Sequence, residues 1–458
     1  MVRVKVLATI MLVALAGAAA ARAPLAARDP GVRSGPSGAG EMLPGLTAGQ
    51  QNFFLAGKDQ FEQLEQLADG LGPRFNLDSC AGCHSQPATG GTSPATNPQV
   101  AVATAGGARN TVPFFIRPDG PVREVRFRNR IDGRGPDGGV HDLFVISGRS
   151  DGSGVDATRC AIRQEDFDAL FNPLAPNLIF RIPTPVFGAG LIEQIPDGAI
   201  LANQRANAVE KHALGIGGRA HQINHNGNDG TIARFGWKAQ NKSLLLFAGE
   251  AYNVEVGVTN DLFQTERDET PSCQLVTVPN NVANTDGTGL DFVSDTEKFA
   301  FFMRFLAPPR PSPGTPGGAD SIARGQDLFA DVGCALCHTP TLATGATTVA
   351  ALQNQQVNLF SDLLLHHMGP RLADGIVQGQ AQGDEFRTAP LWGLGQRLFF
   401  LHDGRATNLL QAIFAHYSNF PGPGQLPAPP SEANAVILRF SGLAPSQQQD
   451  LINFLRSL

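Results

Sequence analysis

Two short runs carry the most specific chemistry in the chain: Cys80-Ala81-Gly82-Cys83-His84 and Cys334-Ala335-Leu336-Cys337-His338. A Cys-x-x-Cys pair alone serves a thiol redox couple, half of a zinc site or a disulfide. A histidine directly after the second cysteine fits covalent attachment of a c-type haem. Two thioether bonds then anchor the porphyrin, and the adjacent imidazole reaches the iron as its proximal ligand. Zinc and thioredoxin chemistry fit poorly, because the further zinc ligands and the strand-helix context are both missing. Cys80, Cys83, Cys334 and Cys337 are therefore read as attachment points for two covalently bound haem c groups, with His84 and His338 as iron ligands. Of the six cysteines, Cys160 and Cys273 remain. A structural disulfide and two free thiols both stay open for them, the disulfide being the plainer reading in an oxidising compartment.

The elements around the motifs follow from periodicity and breakers. "SIARGQDLFADVGCALCH" reads as an amphipathic helix whose last turn delivers the second motif, and "TAGQQNFFLAGKDQFEQL" lies similarly upstream of Cys80. "SDTEKFAFFMRFL" has helical spacing with Ser294 or Asp295 as N-cap. "LAPPRPSPGTPGGAD", residues 306–320, breaks any helix and reads as a linker. "REVRFRNRI" alternates as a strand does, and "ATRCAIRQEDFDALF" looks helical. The expected fold is mainly α, with two cytochrome c-like haem domains. The N-terminal one, 40–305, is enlarged by an irregular, partly β insertion over about 87–197; the C-terminal one covers 321–458.

At 458 residues the chain has room for two or three domains, and 42% hydrophobic with 17% charged residues describes a folded protein. The 52 glycines and 33 prolines point to many loops. A net charge of −6 without a basic run argues against a nucleic-acid partner. The N-terminus has Arg3 and Lys5, an apolar run from Val6 to Ala20, then small residues, which reads as a signal peptide over 1–27. That run is shorter than the roughly 20 residues a spanning helix needs, so export without stable membrane insertion is expected, to the periplasm or otherwise outside the cytoplasm. No phosphate loop, nucleophile elbow or zinc-peptidase motif occurs.

What separates a haem enzyme from an electron carrier is the sixth iron position. Met368 in "SDLLLHHMGPRLADG", beside His366 and His367, is the preferred ligand for the second iron, and a thioether there would raise its potential. Tyr417 is a further candidate. Cleavage of an O–O bond needs a base and a charge stabiliser near the iron. Glu193, His221, His225 and Glu255 are candidates for the first role and Arg181 or Arg234 for the second, with Glu193, His225 and Arg234 preferred. Trp237 and Trp392 occupy comparable places in "RFGWKAQ" and "APLWGLG", where either could lie between the haems. His402 and Asp403 suit a propionate contact or a helix cap.

The blocks "RIPTPVFGAGLIEQIPD", "NHNGNDGTIARFGWKAQNKSLL", "SDLLLHHMGPRLADG", "FRTAPLWGLG" and "FLHDGRATNLLQAI", in this order, resemble the di-haem oxidoreductase and peroxidase family. That family is related to bacterial di-haem cytochrome c peroxidases and to the di-haem enzyme that matures methylamine dehydrogenase. The resemblance runs from about Cys80 to the C-terminus. It implies a peroxide-reactive haem held by His84, a second haem held by His338 that relays electrons, a small redox protein as partner and peroxide or another small molecule as substrate. It leaves calcium between the domains open. It also puts a distal ligand just before Phe386, where this sequence has Gly383, Asp384 and Glu385. The alternatives are a di-haem electron carrier without such chemistry and an oxygenase using O₂.

Overall fold

The computed structural model describes residues 26–147, 149, 157–172, 176–223, 231–268, 270–276, 278–422 and 424–458. The molecule is mainly helical with small sheets. The helices that position the site are α1 (Ala48–Glu62), α2 (Leu244–Ala251), α3 (Asp295–Phe305), α4 (Ala319–Asp331), α5 (Leu409–Ala415) and α6 (Pro445–Ser457). Their starts are written in the sequence. Thr47 and Gln50 make a reciprocal capping box at α1, Ser294 and Glu297 make another at α3, and Asn408 caps α5. None of the described helices is long and apolar enough to cross a membrane.

Two helix crossings repeat the same device. α1 packs on α3, and a Cβ placed at Gly57 would lie 2.2 Å from the Lys298 carbonyl. α4 packs on α6, and a Cβ at Gly325 would lie 2.0 Å from the Asp450 carbonyl. Glycine is required at each crossing because the backbones touch there. One turn further on, α1 presents Phe61 to the ring of His84 at 5.9 Å, and α4 presents Phe329 to His338 at 6.4 Å. Each crossing thus sets one aromatic wall beside one Cys-x-x-Cys-His motif. A large core spans the N-terminal half and reaches Trp392, and a second core joins α4, α5 and α6.

The stretch 87–197 is irregular and partly β. An antiparallel sheet has β1 (Glu124–Phe127) at its centre, flanked by β2 (Val140–His141) and β3 (Leu178–Arg181), with Glu124 opposite Arg181. The helix expected over "ATRCAIRQEDFDALF" is confined to Phe167–Leu170. Cys160 is bonded to Cys273 across 4.6 Å of Cα separation, and the Gln164 amide donates to the Thr111 and Leu143 carbonyls at 2.7 Å each. Those tethers hold the segment extended where local propensity favours helix.

In the C-terminal half β4 (Leu365–His367) pairs antiparallel with β5 (Glu385–Arg387), His366 facing Phe386. The proline-rich 306–320 segment is strapped down by the N-terminal segment through Ala307 N–H to Glu41 O and Arg310 N–H to Ser37 O. Further back, Asp29 takes two bonds from the Arg456 guanidinium on α6, each 2.7 Å.

Candidate haem sites and their seam

Each attachment motif opens onto a cavity. Around Cys80, Cys83 and His84 lies one of about 160 Å³, whose wall includes Phe61, Gln99, Arg123, Glu124, Arg181, Trp237, Tyr252, Glu255 and Met303. Around Cys334, Cys337 and His338 lies another of about 220 Å³, walled in part by Trp237, His366, Met368, Arg397, His402 and His416. None of the four motif cysteines is in a disulfide among the described residues, and burial pushes the Cys334 thiol up to about 12.

Both motif histidines are oriented in the same way. His84 Nδ1 lies 2.9 Å from the Gly91 carbonyl and His338 Nδ1 lies 3.1 Å from the Phe360 carbonyl. A carbonyl only accepts, so Nδ1 carries the proton in each ring and Nε2 keeps its lone pair. Burial lowers both imidazoles to about 4, which keeps them neutral and able to ligate a metal.

The remaining walls also suit a haem. Arg397 is 8% exposed, burial lowers it to about 10, and it meets no carboxylate among the described residues. Arg387 beside it is likewise lowered to about 10, by burial and then by Arg397. Uncompensated buried cations are costly. The anionic propionates of a haem in an otherwise apolar slot would neutralise them. Thiol pairs, neutral imidazoles and the Arg397 guanidinium together fit the group.

The first cavity holds an acid-base pair. α2 continues into a π-helical turn, Tyr252–Val256, whose wider spacing faces both Tyr252 and Glu255 inward. Glu255 accepts 2.8 Å from the Asn76 amide and shares a hydrogen bond with Glu124. Burial, then the Glu124 charge, push Glu255 well above the usual carboxylate range. Glu124 resists the same burial because Arg126, 2.6 Å away, holds it down. Two hydrogen-bonded carboxyls therefore face the space beside His84, Glu255 the one that holds a proton more readily and Glu124 the one that gives it up.

Other preferred residues lie elsewhere. Glu193 does not line the cavity: its carboxylate receives the Leu244 N–H at 2.8 Å and pairs with Arg304 at 2.8 Å, fastening α2 to α3. Arg234 is also outside both haem cavities, tied to Asp197 and to the Ile232 and Ile195 carbonyls. His225 falls outside the described residues. His221 is spent on backbone, with Nδ1 2.8 Å from Lys238 O and Nε2 accepting the Gln380 N–H at 3.0 Å.

In the second cavity His366 has both ring nitrogens engaged, by Asp362 at 2.9 Å and Glu432 at 2.6 Å. His367 faces Asp384 at 2.9 Å, and Glu385, just before Phe386, is bound by Arg219. Met368 does line the cavity, and so does His416, whose Nδ1 lies 2.7 Å from the Ala412 carbonyl in the same arrangement as the two motif histidines. His402 stacks on Phe386 at 4.4 Å and does not cap α5. Among the described residues, the cluster Cys337, Asp362 and His366 is a grouping with metal-ligand proximity, and it lies at the second attachment motif.

The cavities meet at Trp237, which lines both. Its indole N–H donates 2.8 Å to Ile182 O, and its ring meets His402 edge-on at 6.4 Å. Trp392 lies beside it in a smaller space of about 30 Å³ with Arg234, Arg387 and Arg397. Below Trp237 a buried triad spans the seam: Asp374 receives Arg181 at 2.6 Å and Lys238 at 3.2 Å.

The family model described as "Di-haem oxidoreductase, putative peroxidase" matches residues 156–458. The chain belongs to this family. Among solved structures, a MauG-like protein associated with microbial copper homeostasis is 16% identical, with a TM-score of 0.30 over 60% of this chain and 90% of that one. Hydrazine synthase of Kuenenia stuttgartiensis is 19% identical, with a TM-score of 0.22 over 37% of this chain, and the match takes in 58% of the synthase chain. The curated proteins contain no match to this sequence. The assignment to the di-haem oxidoreductases rests on the family match.

Proposed function

We propose that the protein reduces hydrogen peroxide at a haem c held by Cys80, Cys83 and His84, with electrons arriving through a second haem c held by Cys334, Cys337 and His338. The observation that carries this reading is the Glu124–Glu255 pair in the wall of the first cavity. A haem bound there supplies an iron that binds peroxide and exchanges electrons with it.

The residues do the proton chemistry. Glu124, ionised, takes the proton of the near peroxide oxygen, and Glu255, protonated, gives one to the far oxygen so that it leaves as water. Arg181 and Arg123, both in that wall, offset the charge that develops on the departing oxygen. Trp237, common to both cavities, offers a short aromatic path between them. An electron carrier needs no hydrogen-bonded carboxyl pair beside its metal, so the pair favours the enzyme.

For the second haem, Met368 and His416 are the sixth-ligand candidates. His416 is held by the same carbonyl device as the proximal histidines and is the better placed. Two cytochrome c-like units, 40–305 and 321–458, each built on one glycine crossing, are part of the proposal. So is export, which the leader-like N-terminus and the Cys160–Cys273 disulfide support. A small redox protein would then be the electron donor.

The deciving test of the acid-base pair is steady-state peroxide reduction by the haem-loaded protein and its Glu255→Gln variant. Loss of a positioned acid lowers kcat/KM by about 10²- to 10⁴-fold at unchanged haem content. Equal rates in the two proteins would refute the role.

A further inference from the structure

Tyr252 sits in the wall of the first cavity, and its phenol is hydrogen-bonded to a carboxylate that stabilisation alone does not require. The Tyr252 hydroxyl donates 2.9 Å to Glu65 Oε1, and each residue is 2% exposed. A buried phenol needs an acceptor, but a carbonyl or an amide would satisfy it without burying an ionisable group. Among the described residues Glu65 meets no cationic partner to repay its desolvation. The charged and titratable groups that face it are Asp69, Asp295, Cys80 and Tyr252 itself. Burial, with Asp69 and Asp295 adding to it, raises Glu65 to about 7, so it stands ready to gain or lose a proton near neutrality. The Tyr252 ring packs edge-on against Phe299 at 4.9 Å, which fixes it beside the Cys80 attachment point.

We propose that Tyr252 and Glu65 form a proton-coupled electron donor at the first haem: Tyr252 gives up one electron and passes its phenolic proton to the Glu65 carboxylate, leaving a neutral tyrosyl radical and a carboxylic acid. Hydrogen peroxide is the oxidant. Its O–O bond breaks and it leaves as two waters after taking two protons, one from Glu255 and one from solvent, and two electrons, one from Tyr252 and the other supplied by the haem that Cys80, Cys83 and His84 would hold. A phenol that loses an electron becomes a strong acid, so a base already at hydrogen-bond distance removes the cost of forming a buried cation. The pair would keep an oxidising equivalent in the protein until the electron donor arrives. The proposal rests on haem loading and on the peroxide reading.

The test is electron paramagnetic resonance of the haem-loaded full chain, freeze-quenched after one equivalent of hydrogen peroxide, with haem absorption recorded alongside. Ring-deuterated tyrosine identifies a tyrosyl signal by its narrowing. The chain has two tyrosines, so substitution assigns the radical. The signal is expected in the wild type and in Tyr417→Phe, and is expected to vanish in Tyr252→Phe. Glu65→Gln keeps a hydrogen-bonding partner of the same shape that cannot take the proton, and the radical yield is expected to fall roughly tenfold or more. A signal that survives Tyr252→Phe, or a Glu65→Gln yield equal to wild type, overturns the pair. If peroxide leaves the haem bands unchanged, the peroxide reading fails separately. Flash-generated ruthenium(III) tris-bipyridine then replaces it as a one-electron oxidant, and the same variants decide the pair by the same criteria.

Discussion

The triad at the seam permits a quantitative prediction. Asp374 is 2% exposed and its carboxylate is shared by Arg181 and Lys238, both also buried. Burial alone would raise Asp374, but the two cations outweigh it and hold the group at about 2 against an ordinary 3.8. At about 1.4 kcal/mol per pH unit, that is on the order of 2–3 kcal/mol of stability. Burial lowers Lys238 to about 8, so it still carries its proton at neutral pH and the triad has one negative and two positive charges. Asp374→Asn removes the negative charge and leaves two buried cations facing each other. The expected loss is about 3–5 kcal/mol, measured by urea unfolding at neutral pH. Adding Lys238→Met to Asp374→Asn removes one uncompensated charge, so the double variant should be more stable than the sum of the single losses by about 1–3 kcal/mol. The wild-type contribution is complete above 3.8 and disappears as pH falls through about 2, so acidification should narrow the gap between wild type and Asp374→Asn. A loss below about 1 kcal/mol, or strict additivity in the double variant, would refute the assignment of the seam to this triad.

Three further outcomes follow from the geometry. Cys80→Ser/Cys83→Ser should leave one covalently bound haem of two and Cys334→Ser/Cys337→Ser should leave the other, as counted by pyridine haemochrome assay and by mass; two haems retained in either double variant would exclude that motif as an attachment site. Exchange of His416 for Leu should convert the second haem from low to high spin while Met368→Ala leaves it low spin, read by absorption and magnetic circular dichroism; the reverse result would make Met368 the sixth ligand. Gly57→Ala would gain up to about 1 kcal/mol of helix propensity but places a Cβ 2.2 Å from Lys298 O, so a net loss of about 1–3 kcal/mol is expected in urea unfolding, and a neutral variant would show that α1 can retreat from α3.

What could be read in advance was local. A Cys-x-x-Cys-His run contains its own chemistry, and Ser294 acts on backbone three residues away, so the motifs and the start of α3 were visible in the sequence. The acid-base pair was not, because Glu124 lies on a strand in the irregular stretch and Glu255 follows α2, and only the fold brings them together. Glu255 alone was legible as a candidate base, since it interrupts the apolar run "LLLFAGEAYNVEVGV" with a charge that needs a partner, whereas Glu124 was not. Glu193 and Arg234 looked catalytic in isolation because their partners, Arg304 and Asp197, are close only in space. The helix expected over 157–171 gave way to long-range ties at Cys160 and Gln164, which propensity cannot see. The shared Gly-x-x-x-Phe spacing of Gly57–Phe61 and Gly325–Phe329 was in plain view, and its meaning came from the two helix crossings.

The most direct test of the central claim is electron paramagnetic resonance of the half-reduced, haem-loaded protein before and after hydrogen peroxide, compared with its Cys80→Ser/Cys83→Ser variant, which lacks both attachment sulfurs of the first motif. The account predicts a high-spin haem in the wild type whose signal changes on addition of peroxide and is lost in that variant. Two low-spin haems inert to peroxide, or a reactive signal unchanged in Cys80→Ser/Cys83→Ser, would contradict it.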